Sequence, residues 1–253
     1  MKNNKATIVK ATRQYSDNEA LYKITLPDNA DINVSVGNIK VGKIHNINML
    51  PGEHLLRTQT RGLLTDIPGT CNGCCEGCEN GGCYAIRDAK LHHNVTIPAW
   101  ATNTLLMRKD LNAFFDKIDE YLNSNKVKYW RWHAAGEVPS YEYLVKMNDI
   151  AKKHPDVKFY FYTKRFDWVV KFEQEHSFAD NLTCNISVWH GNADGYKFKN
   201  VNYFVYDDHT EEHVKGMTHC PAVDKDGHET GITCDKCQRC IRKHNSTTAV
   251  HAH

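Results

Sequence analysis

The sequence predicts an α/β protein, either a partial (β/α) barrel or an open, mostly parallel sheet, with short N-terminal strands and a cysteine-rich C-terminal extension. Three observations predict it. Strand-like segments and helical periods alternate from residue 111 to 206 at intervals of roughly 20–30 residues, the pattern of right-handed βαβ units. The segment 157–163 is apolar on both faces, as a covered parallel strand is. Before residue 65 the chain shows only short strand-like pieces and turns, and after residue 210 it becomes hydrophilic and rich in cysteine.

Taken in order, residues 7–9 and 20–26 have strand composition, Pro27-Asp28-Asn29-Ala30 is a turn, and 32–36 alternates. A glycine-punctuated stretch, 35–42, follows; 62–67 is another short apolar segment, and Pro68-Gly69 turns the chain into a cysteine-rich loop. Residues 1–65 are therefore expected as a β-rich segment packed on the core. Residues 84–92 predict a helix. Leu111, Phe114, Phe115, Ile118, Tyr121 and Leu122 then fall on one helical face, with Asp110 as its N-cap. The aromatic strand 127–132 breaks at His133-Ala134-Ala135-Gly136-Glu137. Ser140 caps the next helix, with Glu142 in its first turn and Leu144, Met147, Ile150 and Ala151 inward. Strand 157–163, helix 167–175 and strands 182–189 and 201–206 complete a core expected over 66–210. Residues 211–245 form the cysteine-rich extension, and the polar tail 246–253 reads as disordered. In such a fold ligands gather at the carboxyl ends of strands, here 69–83, 133–137, 163–165 and 189–191.

Composition narrows the function. With 32 basic and 30 acidic residues in 253, no whole-protein field points to nucleic acid or a membrane, and there is no basic stripe. No apolar run approaches the ~20 residues of a membrane span, and the N-terminus shows no signal-peptide apolar region, so a reducing cytoplasm is expected. In that setting the ten cysteines read as metal or redox ligands rather than disulfides.

Nine of them fall in two sets. Cys71, Cys74, Cys75, Cys78 and Cys83 lie within thirteen residues, interleaved with glycines that let a backbone wrap a small group. Cys234-x2-Cys237-x2-Cys240 with the remote Cys220-Pro221 gives four thiolates, and the run resembles the ligand loop of bacterial ferredoxins. A four-cysteine zinc site is the alternative. Zinc draws two separated Cys-x2-Cys pairs, whereas three of these cysteines sit together, so a 4Fe–4S cluster is favoured.

Cys71-x3-Cys75-x2-Cys78 resembles the radical S-adenosylmethionine (SAM) enzymes. The resemblance implies three cysteines on a 4Fe–4S cube whose fourth iron is left to SAM, and reductive cleavage to a 5′-deoxyadenosyl radical. Ala134-Ala135-Gly136-Glu137 looks like a degenerate form of the glycine-glycine-glutamate motif that receives the SAM amino group, which names Ala135, Gly136 and Glu137 as cofactor residues, with Lys164 and His190 as SAM or substrate contacts. Gly77 stands where those enzymes carry an aromatic residue, and alanines replace the first glycines. The plain alternative for Gly136-Glu137 is a strand-to-helix turn. Cys74 and Cys83 exceed what an open site needs, and which cysteines ligate is left open. Of the rest, Cys184 is in phase with Leu182, Ile186 and Val188 and reads as a core thiol. Trp130, Trp132 and Trp189 read as packing, and His133, His190 and His219 as flanking the site.

Larger stretches resemble the phage gene-product-88 family: Ser35-x-Gly37-Asn38-x-Lys40-x-Gly42, the loop ending Cys83-Tyr84-Ala85, Arg131-Trp132-His133 before Gly136, Phe159-Tyr160-x-Tyr162-Thr163, and Cys220-Pro221 with Cys234, Cys237 and Cys240. The resemblance implies a phage- or prophage-encoded protein with a radical-SAM-like core, in the cytoplasm of a bacterial host, and supplies no substrate. The expectation is an iron–sulfur protein with two 4Fe–4S sites, extending to a radical-SAM-like enzyme with a small-molecule or macromolecular substrate and an electron donor. Its rivals are a non-catalytic redox protein, a single larger assembly on both cysteine sets, and a zinc-stabilised binding module.

Overall fold

Strands β1 (Thr7–Ser16), β2 (Glu19–Thr25), β3 (Val34–Ser35), β4 (His45–Ile47), β5 (Leu55–Leu56) and β6 (Gly62–Thr65) precede three helices, α1 (Tyr84–Leu91), α2 (His93–Lys109) and α3 (Leu111–Ser124). The alternating part follows: β7 (Tyr129–Trp132), α4 (Tyr141–Lys153), β8 (Lys158–Thr163), α5 (Phe166–Glu175), β9 (Leu182–Val188) and β10 (Val201–Asp207). Two-residue β11 (Thr218–His219), the single turn α6 (Cys234–Cys237) and β12 (Thr247–His251) close the chain. The structure, a computed structural model, describes residues 4–16, 19–52, 55–56, 62–71, 78, 83–189, 191–207, 214–224, 226 and 228–251. Among them no helix is long and apolar enough to cross a membrane.

Two compact units result. The first comprises Met1–Val34, Ile47–Asn125 and His133–Pro139; the second comprises Ser35–Asn46, Lys126–Trp132 and Ser140–His253. In the first unit, β1, β2, β6 and β5 form a four-stranded sheet in that order. The cysteine-rich loop thus leaves a strand of this small sheet, β6, and not a strand of the parallel sheet as its expected place at a core strand end implied. Helix α3 starts where its sequence signal says, the Asp110 carboxylate accepting the Ala113 N–H at 3.0 Å.

Helix α2 had no sequence signal, because residues 97–104 are all buried and leave no polar face to set a period. Its buried polar side chains instead pin neighbouring backbone. Thr104 Oγ1 accepts the Leu50 N–H at 2.9 Å, and Thr102 Oγ1 accepts that of Ala6. The Asn103 amide donates to the Asn33 and Asn48 carbonyls, both at 2.9 Å, and accepts the Asn33 N–H at 2.7 Å. These bonds fix segment 47–50.

The second unit carries an open eight-stranded sheet, β11-β12-β10-β9-β8-β7-β4-β3, in which β7, β8, β9, β10, β12 and β11 pair in parallel. The expected open, mostly parallel α/β sheet is therefore present. Ser140 Oγ accepts the Tyr143 N–H at 3.1 Å and opens α4 between β7 and β8. Trp132, Phe159 and Phe161 are fully buried, and Trp132 packs on Tyr143 and Phe159. Cys184 is a buried core thiol, as its phase predicts.

The C-terminal tail corrects the sequence reading. Residues 247–251 are not disordered but form β12, an interior strand between β10 and β11. Three buried polar side chains hold the segment leading to it. Thr183 Oγ1 donates to the Ile241 carbonyl at 2.8 Å, Asn185 Nδ2 to that of Cys240 at 3.0 Å, and Asn202 Nδ2 to that of Arg242 at 2.9 Å. Asn202 Oδ1 also accepts the N–H groups of His244 and Asn245. Thr183 and Asn185 stand on one face of β9, and Asn185 is directly paired with Asn202 of β10. A buried amide is stable only when its polar groups are matched, and this pair is matched against the chain that carries Cys240.

Candidate metal centre

The C-terminal cysteines lie in the second unit. The turn of α6 presents Cys234 and Cys237, and it ends at Gln238, whose φ of 59° is left-handed. This turn sits in the loop that carries the glycine-punctuated motif. The N–H groups of Cys234 and Asp235 donate to the carbonyls of Lys40 (3.3 Å) and Val41 (3.2 Å), and Asp235 Oδ2 accepts the Lys43 N–H at 3.0 Å. Gly42, at φ +73°, leaves room for that carboxylate: a Cβ there would lie 2.1 Å from Asp235 Oδ1. Beyond the turn, Asn185 and Thr183 fix Cys240 and Ile241 through their carbonyls. Cys220, just after β11, is tied to β12 by its N–H to the Ala249 carbonyl at 2.8 Å.

Four elements thus bring Cys220, Cys234, Cys237 and Cys240 together, and none of these thiols is in a disulfide. Charge interactions show the proximity: Cys237 acts on Cys220, Cys220 and Cys237 act on Cys234, and Cys234 and Cys220 act on Cys240. Burial pushes the Cys240 thiol up to about 12; Cys234 and Cys220 add to the rise, while a hydrogen bond from the Tyr162 hydroxyl and the charge of Arg131 oppose it. Cys234 is raised by burial, with Arg131 and Lys40 opposing and Cys220 and Cys237 adding. Burial likewise raises Cys220, against the Ala222 amide, Lys40 and Arg239. The Tyr162 phenol is held well above its ordinary value by burial, with Cys240 adding to the rise.

Burial keeps these clustered thiols protonated, a metal centre would displace those protons, and the charges of Lys40, Arg131 and Arg239 favour the resulting thiolates. Arg131 also lies over the Tyr162 ring at 5.2 Å. Ile44, Tyr129, Tyr160 and Ile241 form an apolar cluster against which Tyr162, Cys234 and Cys240 pack. Lys40, Arg131 and Tyr162 were not singled out as site residues from the sequence. Their one signal was membership of the motifs that carry the family resemblance.

The N-terminal cysteines belong to the first unit. Cys74 and Cys75 lie outside the described residues; Cys71, Cys78 and Cys83 are half-buried. The approach to the loop is clamped by Arg108 of α2, whose guanidinium donates to the carbonyls of Pro68 (2.6 Å) and Gly69 (2.8 Å). Cys83 ends the loop as the residue before α1. Thr70, buried next to Cys71, donates its hydroxyl to the Leu50 carbonyl at 3.3 Å and accepts the Glu137 N–H at 3.0 Å. The structure therefore brings the start of the loop beside Gly136 and Glu137.

The turn at 133–137 is itself heavily bonded. His133 N–H reaches the Ile47 carbonyl at 3.0 Å, Ala135 N–H the Asn48 side chain at 3.1 Å, and the Ala135 carbonyl accepts Met49 N–H at 3.0 Å. The Tyr84 hydroxyl donates to the Ala134 carbonyl, and Glu137 Oε1 accepts the Val138 N–H at 2.7 Å. Gly136 needs to be glycine: its φ is +85°, and a Cβ would lie 2.7 Å from both Met49 Cβ and Thr70 Oγ1. A Thr70→Val substitution should cost about 1–3 kcal/mol in urea unfolding, because it leaves the Glu137 N–H without its acceptor. Thr70→Ser should restore most of that loss.

Of the other predicted contacts, Lys164 follows β8 in the second unit, its ammonium 5.0 Å from the centre of the Trp189 ring, which stacks on Tyr206 at 4.1 Å. His190 lies outside the described residues. No curated protein and no solved structure matches this chain. Residues 28–243 match the model of the family described as Gene product 88, so the chain belongs to that family, the one its cysteine sets and its glycine and aromatic motifs resemble.

Proposed function

We propose that this protein is an iron–sulfur protein that binds a 4Fe–4S cluster on Cys220, Cys234, Cys237 and Cys240 and a second cluster on the loop from Cys71 to Cys83. The observation that carries the reading is the convergence of the four C-terminal thiols, with Cys234 and Cys240 packed on an apolar cluster and the charges of Lys40, Arg131 and Arg239 acting on them. These residues fit a thiolate-ligated centre: the cysteines supply the ligands, the cations offset their negative charge, and the Tyr162 hydroxyl donates to one sulfur. The spacing of three neighbouring cysteines with one remote Cys-Pro favours a cube over zinc. When bound, such a cluster supplies one-electron chemistry, and an electron donor is the partner it calls for.

Cleavage of SAM is the finer form of the reading. It is supported by the spacing of Cys71, Cys75 and Cys78 and by the bond that sets Thr70 against Glu137. The turn expected to receive the SAM amino group fits less well, since the Ala134 and Ala135 carbonyls and the Ala135 and Glu137 N–H groups already have partners inside the fold. No SAM-dependent step is assigned.

Anaerobic purification with iron, sulfide and zinc analysis tests the whole proposal. A brown protein with iron and acid-labile sulfide in equal amounts is expected, and a colourless protein carrying zinc without iron would overturn it. For the SAM reading, a reduced sample mixed with SAM should shift its electron paramagnetic resonance and release 5′-deoxyadenosine; neither change would leave a redox protein without SAM chemistry.

A further inference from the structure

We propose that Asp207, His219 and His251 form a second kind of metal site in this protein, one that takes a divalent first-row transition-metal ion on nitrogen and oxygen and is separate from the cysteine sets. The three residues are 12 and 32 positions apart in the chain and meet only through the sheet. Asp207 and His251 end β10 and β12 and are paired in register, and His219 of β11 is paired one strand further out with Ala249. All three strands are parallel, so the site lies where their carboxyl ends meet.

The donor atoms already stand at ligand spacing. His251 Nδ1 is 2.9 Å and His219 Nε2 is 3.4 Å from the same oxygen, Asp207 Oδ2, and one donor atom from each residue lies within 4.8 Å of the others. Donors bound 2.0–2.2 Å from one ion lie about 3.0 Å apart at right angles and about 3.4 Å apart at the tetrahedral angle. The Asp207 carboxylate and the His251 ring are buried, at 5 % and 9 % exposure, while the His219 ring is 40 % exposed. Two imidazoles and one carboxylate select a transition metal over calcium or magnesium, and three protein ligands with one open side leave a position for water.

His219 and Cys220 are successive residues. Successive side chains alternate along an extended chain, so Cys220 can join the cysteine set while His219 turns to Asp207. The two imidazole rings are stacked, with centroids 4.6 Å apart and planes 12° from parallel. Lone pairs in parallel planes do not meet at one point, so ion entry requires one ring to turn, and the exposed His219 is the ring with room to do so.

Equilibrium dialysis of the full-length protein, prepared anaerobically with its cysteine-bound metal in place, against buffered zinc(II) tests the site. Iron and zinc are counted in the same samples, so changes at the cysteines are seen separately. The wild-type chain should take up one zinc ion beyond its cysteine-bound metal. His219→Ala changes an exposed ring and should keep the fold, read by circular dichroism, and the iron content. It should weaken the added zinc by at least about tenfold, since loss of even an outer-shell partner has that effect. Asp207→Asn should weaken it similarly. No added zinc in the wild type, or an ion bound with unchanged affinity by His219→Ala, would overturn the proposal.

Discussion

A Cys240→Ser substitution is expected to empty the C-terminal centre, lowering iron and sulfide per chain by roughly half if both cysteine sets carry cubes of equal size. Cys240 is the most informative ligand to change, because its place in the fold does not depend on its sulfur. Its carbonyl is held by Asn185, and the carbonyls of Ile241 and Arg242 by Thr183 and Asn202, so serine keeps the backbone where it was. What changes is a thiolate for a hydroxyl that does not ionise at neutral pH and is a poor iron ligand. The thermal midpoint should fall with the metal. Binding that is confined to the folded state contributes to folding, and a loss of several kcal/mol lowers the midpoint of a chain this long by on the order of 10 °C. Iron analysis and a melting curve on the same sample check both parts. Full iron retention by the variant would remove Cys240 from the ligand set.

The parts of this arrangement legible in the sequence were those with a local period or spacing. Helices α3 and α4 showed an apolar stripe and a capping residue, and both caps bond as expected. The strands from β7 to β10 were legible as aromatic or apolar runs. The four C-terminal cysteines were legible from Cys-x2-Cys-x2-Cys and a Cys-Pro pair. Helix α2 was not, because its middle, residues 97–104, is buried on all sides and has no stripe, and Pro98 argues against continuity. Strand β12 was not legible either: Thr247-Thr248-Ala249-Val250-His251 is polar enough to read as a tail, and it becomes a strand only between two partners that the sequence cannot place beside it. Asp207, His219 and His251 fail for the same reason, since their proximity comes from strand order alone. The glycine motif at 37–42 was visible as a motif and silent about its role, which is to receive the Cys234 turn.

That role makes Gly37→Ala the second large effect. Gly37 sits at φ +109°, where an L side chain is strained, and a Cβ there would stand 1.9 Å from the Gly42 carbonyl oxygen and 3.2 Å from the Ile44 nitrogen. Both atoms are backbone, and Gly42 O already accepts the Ile44 N–H at 3.0 Å, so no side chain can swing away to make room. The loop has to open, and opening it breaks the Gly42 N–H bond to Asn38 and displaces the Lys40 and Val41 carbonyls that hold Cys234 and Asp235. Strain of about 1–3 kcal/mol and one or two lost hydrogen bonds put the cost on the order of 3–5 kcal/mol. Gly195→Ala is the matched control in the same unit. Gly195 has φ +85° but nothing within 4 Å of its Cβ position, so alanine there carries the backbone strain alone, about 1–2 kcal/mol. If the glycine loop holds the metal turn, Gly37→Ala will melt well below Gly195→Ala and will lose C-terminal iron faster to a chelator. Equal melting and equal iron release in the two variants would mean that Cys234 is held in place without the loop.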